Sequence, residues 1–217
     1  MYEFARGPLV WVAFVGLLGG VLYKLATVYR KARREKSVFP TWDARHGLRS
    51  VAHWVVPFGS RNMRMHPVMT LVSFAFHLCL LLTPLLVMGH AVLWQESWGI
   101  SWWSMPTWLA DAMTLVVIFG GVFFFLRRLT APEVRNVSAP SDFLLVLLVI
   151  APFVTGLLAH LQVAWISYRT MVTLHIVTGA LWLVAIPFTR LSHMLWFVFS
   201  RSYMGSEFGA VRNARDW

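Results

Sequence analysis

Residues 174–194, LHIVTGALWLVAIPFTRLSHM, decide the fold, because they form a long apolar run with a histidine near each end. A helix of about 20 apolar residues crosses the hydrocarbon core of a bilayer. Four more apolar runs of this kind occur, and at these lengths only helices satisfy the backbone in lipid. The sequence therefore predicts an all-α membrane protein with five transmembrane helices. The predicted spans cover residues 9–28, 68–94, 108–126, 143–165 and 171–199.

The composition supports a membrane protein with one integral-membrane domain over residues 1–217. Hydrophobic residues make up 58% of the 217 residues and charged residues only 13%, against about 25% charge in soluble domains. The chain has one cysteine, Cys79, which excludes a disulfide within the chain and a cysteine-ligated iron–sulfur cluster. No internal repeat is visible, which weighs against an inverted-repeat transporter.

The basic residues predict the orientation of the bundle. Only Arg6 and Arg169 lie on one side of the predicted membrane. The positive-inside rule therefore places the N-terminus outside and the C-terminus in the cytoplasm, with the tryptophan-rich residues 95–107 outside. The basic residues of the cytoplasmic side are Arg30, Lys31, Arg33, Arg34, Lys36, Arg45, Arg49, Arg61, Arg64, Arg127, Arg128, Arg135, Arg201, Arg212 and Arg215.

Residues 37–66 predict a cytoplasmic amphipathic segment, since Trp42, Leu48 and Val55 alternate with Arg45 and Arg49. Such a helix adheres to anionic lipid, or it provides a docking surface for a cytoplasmic partner. The tail after residue 201, which includes Tyr203, Phe208 and Trp217, either binds a partner or trails in solvent.

Histidines inside the spans suggest a bound cofactor, because ionisable groups within a bilayer are costly and commonly functional. His175 and His193 are 18 residues apart, which is about five turns and about 27 Å on one continuous helix. His77 and His90 lie about 20 Å apart by the same helical rise. The two spans run in opposite directions. His90 is therefore expected to pair with His175 at the outer level, and His77 with His193 at the inner level.

Two facing imidazoles suit the iron of a haem, so the four histidines are predicted axial ligands of two haems, or of one. No CxxCH motif occurs, and the predicted cofactor is therefore non-covalent haem b. Arg190 either pairs with a haem propionate or reaches to the membrane interface. Small residues near the predicted ligands leave room for the ring: Gly89, Gly156, Gly179 and Ala180.

The second span requires a local distortion for this arrangement. Thirteen residues rotate about 220°, which puts His77 and His90 on opposite faces of a straight helix. Pro84 lies between them and permits a kink or a rewinding of the span. Without such a distortion one of the two is misassigned, and His66, just before Pro67, is the alternate ligand.

A quinone or proton site is predicted at the outer end of the fourth and fifth spans, where His160 and Arg169 lie with Gln162 and Tyr168. Imidazole titrates near neutral pH and suits proton transfer. The alternative for His160 is an interhelical hydrogen bond. Asp111 and Asp142 stand at span starts, and their predicted role is helix-dipole stabilisation or capping. The sequence predicts no catalytic residues in this chain.

Three stretches resemble the respiratory nitrate reductase gamma subunit family. Residues 174–194 are similar to its last span, with two haem-ligand histidines at this separation and a similar Pro-Phe-Thr-Arg-Leu run, here at 187–191. Residues 120–158 resemble its third span, inner loop and fourth span, and the SFAFH and GH motifs that end at His77 and His90 resemble its second span. The longer histidine spacing in that span, and residues 30–66, look closer to the gamma-type cytochromes of sulfate-reducer complexes such as the high-molecular-weight cytochrome complex.

This resemblance implies a di-haem cytochrome b in a bacterial or archaeal cytoplasmic membrane, not catalytic alone. It would move electrons between a quinone pool, implied to be menaquinone, or a periplasmic multihaem cytochrome c and a cytoplasmic iron–sulfur subunit. Other membrane subunits and lipid would be further partners. Direct transfer from cytochrome c, with quinone secondary, is one alternative. A cofactor-free anchor or transporter subunit is another. No feature points to nucleic acid, because the positive charge lies in one-sided loops.

Overall fold

A computed structural model of the chain describes residues 1–35, 41–163 and 165–216, and within these ranges it is helical and contains no strand. Five helices are long and apolar enough to cross a membrane. The prediction of an all-α, multi-pass membrane protein is therefore confirmed, while the direction of the spans stays a prediction. Lys36, residues 37–40 of the predicted amphipathic segment, and Trp217 lie outside the described residues.

Ten helices are used below, and five of them are the membrane-spanning helices α1, α4, α6, α8 and α9. Helix α1 contains one π-helical turn, Ala5–Leu9, around Pro8. A 3-10 turn, Arg190–Ser192, precedes α10, and a π-helical turn, Glu207–Val211, follows it. The helices are α1 Tyr2–Arg34, α2 Ala44–Val55, α3 Arg61–Met65, α4 Pro67–Leu86, α5 Met88–Trp98, α6 Thr107–Thr130, α7 Pro132–Arg135, α8 Pro140–His160, α9 Tyr168–Phe188 and α10 His193–Ser206.

The second predicted span is two helices, because α4 ends at Leu86 and Val87 adopts an extended conformation with φ −69° and ψ 132°. Helix α5 begins at the next residue. Pro84 lies three residues before the break and removes one donor from the last turn of α4. The local unwinding that the two histidines of this span require is therefore present between them.

The predicted continuous helix over residues 171–199 is wrong. Helix α9 ends at Phe188, and Thr189 is extended, with φ −124° and ψ −171°. Pro187 weakens the last turn of α9, and the Thr189 hydroxyl accepts a hydrogen bond from the Leu191 amide at 3.2 Å, which starts a new turn. The five-turn spacing between His175 and His193 therefore does not apply, and His193 is the first residue of α10.

The chain divides into two compact units, which are described separately. The first comprises Met1–Val10 and Val72–Trp182, and the second Trp11–Leu71 and the residues from Leu183 onward. In the first unit α6 packs against α8, where Gly121 leaves space for the side chain of Ile150. A glycine at this point lets the two helices approach closely, as is common between helices in membranes.

In the second unit α2 packs along α10 through small residues. Gly47 faces Ser202, and Gly205 faces the buried Ser50, at positions where a β-carbon would collide with these partners. The opposite face of α2 exposes Leu48 and Val55. The amphipathic helix predicted within residues 37–66 is confirmed over Ala44–Val55. Its adhesion to lipid and its docking to a cytoplasmic partner stay alternatives for the exposed face.

The C-terminal tail folds back onto α2. Asp216 is buried and lies 3.4 Å from the Arg201 guanidinium, and the Ser50 hydroxyl donates a hydrogen bond to the same carboxylate at 2.6 Å. The Arg201 guanidinium lies 4.4 Å from the centre of the Trp54 ring, at a distance typical of a cation–π contact. The alternative that the tail trails in solvent is therefore wrong for the described part of the tail, which ends at Asp216.

Helix α2 begins at an aspartate cap. The Asp43 side chain accepts a hydrogen bond from the His46 amide at 2.9 Å, and its Oδ1 lies 2.7 Å from the His46 ring. The backbone hydrogen bond, followed by the bond with the ring, lowers the pKa of this exposed carboxyl below its usual value. The charged cap thus stabilises the first turn of the helix.

Candidate metal centre

The break at Val87 places His90 in a fixed orientation. The carbonyls of residues 84–86 lose helical partners there, and each accepts a hydrogen bond from elsewhere in the first unit. The donors are His90 Nδ1 at 2.7 Å, Trp102 Nε1 at 2.7 Å and Met105 N at 2.9 Å. The predicted external loop thus supplies two donors to the broken span, which its tryptophan-rich composition alone did not reveal.

His175 is oriented by α8. Its Nδ1 lies 2.8 Å from the Pro152 carbonyl, and its ring lies against Gly156. A β-carbon at Gly156 would stand 3.0 Å from both Cε1 and Nδ1 of the ring. The Thr155 and Thr178 hydroxyls are 3.2 Å apart and join the same two helices. The absence of a side chain at residue 156 therefore allows the imidazole to reach the helix backbone.

His90 and His175 face each other. Their ring centres are 5.9 Å apart and their planes differ by 24°. Imidazole nitrogen binds metal at about 2 Å and lies roughly 1 Å from the ring centre, so two axial ligands of one ion have centres about 6 Å apart. The same separation suits two packed aromatic rings.

Both rings present Nε2 as the atom available to a metal. A backbone carbonyl only accepts, so Nδ1 of each ring carries the proton in this assignment and Nε2 carries the lone pair. Within the described residues, Nε2 of His90 and of His175 has no hydrogen-bond partner. This tautomer, with Nδ1–H held by a carbonyl, is the usual one of a metal-binding histidine.

Two glycines lie close to the pair along the chain, on α5 and α9. A β-carbon at Gly89 or Gly179 would meet no heavy atom within 4 Å, whereas Ala180 is buried. Gly179 lies one turn after His175 and therefore on the same face of α9. The small residues predicted to leave room for a ring thus differ: Gly89 and Gly179 have no neighbouring side chain at this position, Gly156 contacts the His175 ring, and Ala180 is buried.

His77 and His193 have the same local orientation. His77 Nδ1 lies 2.7 Å from the Ser73 carbonyl, and His193 Nδ1 lies 2.9 Å from the Arg190 carbonyl. Both side chains are exposed. His53 on α2 makes a similar bond to its own helix, at 2.8 Å, so this bond alone does not identify a ligand. His77 belongs to the first unit and His193 to the second, and their pairing stays a prediction.

Two further predicted residues lie at helix ends. His66 is exposed at the C-terminus of α3, immediately before Pro67 begins α4. Arg190 is exposed at the start of the 3-10 turn. The roles of His66 as an alternate ligand and of Arg190 as a propionate partner stay predictions.

In the first unit, two residues of the predicted quinone or proton site lie beside acidic side chains. His160 Nε2 lies 3.5 Å from Asp111 Oδ2, and Arg169 lies 3.8 Å from Glu3. Asp111 makes no side-chain cap at the start of α6, so the capping prediction is wrong for this residue. It is confirmed for Asp142, which accepts a hydrogen bond from the Ala139 amide at 2.9 Å.

The comparisons with known proteins identify one relative. No family model matches the chain. A protein of Nitratidesulfovibrio vulgaris (strain Hildenborough), which carries only the name "Protein", is 35% identical over 217 residues, covering 98% of this chain and 95% of the relative. The likeness extends over all five spans and brings no named activity with it.

Proposed function

We propose that this chain is a haem b-binding membrane subunit that transfers electrons. The chain belongs to the same family as the Nitratidesulfovibrio vulgaris protein. One observation carries the proposal. The rings of His90 and His175 face each other at a separation of 5.9 Å, with both Nδ1 atoms held by backbone carbonyls. Two different helices thereby bring imidazole rings to a separation that one metal ion could bridge in this proposal.

The donor set fits a porphyrin better than a bare ion. Within the described residues, no group of three or more His, Cys, Asp or Glu side chains could hold a metal ion. A porphyrin supplies four nitrogens itself and needs only the axial ligands from the protein. Two imidazoles and open space beside Gly89 and Gly179 meet that requirement. Haem b, which needs no covalent attachment, is therefore the proposed cofactor.

The residues of this chain orient and enclose the cofactor. The Pro84 and Pro152 carbonyls fix the orientation of the two rings, as hydrogen-bond partners of ligating imidazoles commonly do. Bound haem supplies one-electron transfer at its iron. In this proposal His77 and His193 would be the ligands of a second haem, and Arg190 would pair with a propionate.

The proposed electron partners follow from the resemblance of residues 68–200 to cytochrome b subunits. Electrons pass between a quinone, menaquinone in this proposal, or a periplasmic multihaem cytochrome c on one side and a cytoplasmic iron–sulfur subunit on the other. The proposed location is the cytoplasmic membrane of a bacterium or archaeon. These assignments extend the conclusion that the protein is a multi-pass helical membrane protein in contact with lipid.

Purification with an adequate haem supply tests the proposal. We expect a red protein with a b-type reduced spectrum and about one haem per chain for each filled axial pair. His90→Ala and His175→Ala should each remove the same haem, because each leaves only one axial ligand. His53→Ala is the matched control, since His53 makes a similar Nδ1 bond on α2. A folded, colourless wild type would reject haem binding and favour a cofactor-free anchor.

A further inference from the structure

A histidine–aspartate contact between two spans lies in the same unit as the candidate metal centre. Asp111 is in the second turn of α6, and His160 is the last residue of α8. Oδ2 of the aspartate and Nε2 of the histidine are 3.5 Å apart, and both side chains are partly exposed. Catalytic hydrogen bonds are often this long in structures without substrate.

The pair lies near His175 along α8. His160 follows Pro152, whose carbonyl holds the His175 ring, by eight residues. The helical rise places it about 12 Å farther along the axis. Gly156, which the His175 ring contacts, lies between the two points on the same helix. One helix thus links the candidate metal ligand with a partly exposed histidine–aspartate pair.

The contact selects which histidine nitrogen is basic. An aspartate carboxylate beside Nε2 favours the tautomer with the proton on that nitrogen, so Nδ1 carries the lone pair. The same division of roles makes a histidine oriented by an aspartate an efficient general base.

Other charges at this end of the unit form separate pairs. Arg6 lies 3.6 Å from Glu96, and Arg169 lies 3.8 Å from Glu3 and near the Tyr2 ring. Arg169 therefore has an acidic partner of its own. The base in this region is assigned to the pair of Asp111 and His160.

Building on the proposed haem function, we propose that Asp111 and His160 form the proton-accepting site for a hydroquinone that reduces the His90–His175 centre. His160 Nδ1 would take the proton as the O–H bond of the hydroquinone breaks, and a haem held by His90 and His175 would accept the one electron released with it. A second proton and a second electron follow after the first have moved on. The hydroquinone thereby becomes a quinone, with release of two protons and two electrons. Asp111 acts as a positioning residue.

The experiment uses purified, haem-loaded full-length protein and a water-soluble naphthohydroquinone. His160→Gln should slow haem reduction by about 100-fold, the scale of general-base catalysis, and Asp111→Asn by about tenfold. The pH dependence of the rate should flatten in His160→Gln. Quinone binding, measured by quenching of tryptophan fluorescence, should change less than threefold in Asp111→Asn. Glu96→Gln, which removes the partner of Arg6, is the matched control and should retain the wild-type rate.

The outcomes separate this proposal from the haem assignment. Wild-type reduction rates in His160→Gln and Asp111→Asn, with full haem content, would overturn the proton site and leave haem binding intact. Loss of haem from these variants would make the pair a structural tie and would also overturn it. Recovery of the rate in Asp111→Glu supports the positioning role. A colourless wild type would reject both proposals.

Discussion

A methyl group at Gly156 tests the candidate metal centre through its geometry. An ideal β-carbon there lies 3.0 Å from both Cε1 and Nδ1 of His175, whereas carbon atoms in contact prefer about 3.5–4.0 Å. The ring must therefore move by a few tenths of an ångström. This movement strains its hydrogen bond to the Pro152 carbonyl and shifts the ring relative to the His90 ring.

The expected loss follows from the size of this displacement. Overpacking by one methyl group costs about 1–3 kcal/mol, and each 1.4 kcal/mol is about a tenfold change in affinity. If the cost falls mainly on the haem-bound arrangement, Gly156→Ala should weaken binding at this centre by about tenfold. Haem titration of the detergent-solubilised, haem-depleted protein measures this affinity directly.

Gly19→Ala provides the control, because a β-carbon at Gly19 in α1 would meet no heavy atom within 4 Å. The control should retain the wild-type affinity. Circular dichroism should show the same helicity in both variants, so that the loss is assigned to the centre. Wild-type haem affinity and an unchanged spectrum in Gly156→Ala would refute the geometry deduced for His175.

Other variants test the remaining assignments. His77→Ala and His193→Ala should each remove the same second haem, counted by pyridine haemochrome; loss of different haems would reject their pairing. Arg201→Met leaves a buried carboxylate without its ion partner and should lower the unfolding free energy by about 3 kcal/mol, measured by denaturation in mixed micelles; an unchanged stability would reject the tail contact. The cap hydrogen bond from the His46 amide lowers the pKa of Asp43, so its stabilisation is present above the unfolded pKa and disappears as pH falls through the folded pKa. Asp43→Asn should remove this acid-dependent loss of α2 helicity in circular dichroism, whereas an unaltered acid transition would contradict the assignment.

The membrane-spanning helices could be predicted because hydrophobicity is carried by each residue and adds along the chain. Five apolar runs therefore specify five spans whatever their packing, although the helix bounds differ: α8 ends at His160, before the predicted limit at 165. The need for unwinding between His77 and His90 also followed from helix geometry alone. Its location at Val87 did not, since it depends on which donors reach the carbonyls of residues 84–86.

The residue types and their order along the chain were sufficient to predict the spans, the amphipathic helix and the pairing of His90 with His175, which the structure brings face to face. Spatial packing was needed to identify Asp111 as the partner of His160 and to place Asp216 against Arg201. Packing also revealed that the fifth span ends at Phe188. Burial in lipid is a property of each segment by itself, whereas a hydrogen bond or ion pair needs two groups that distant parts of the chain bring together.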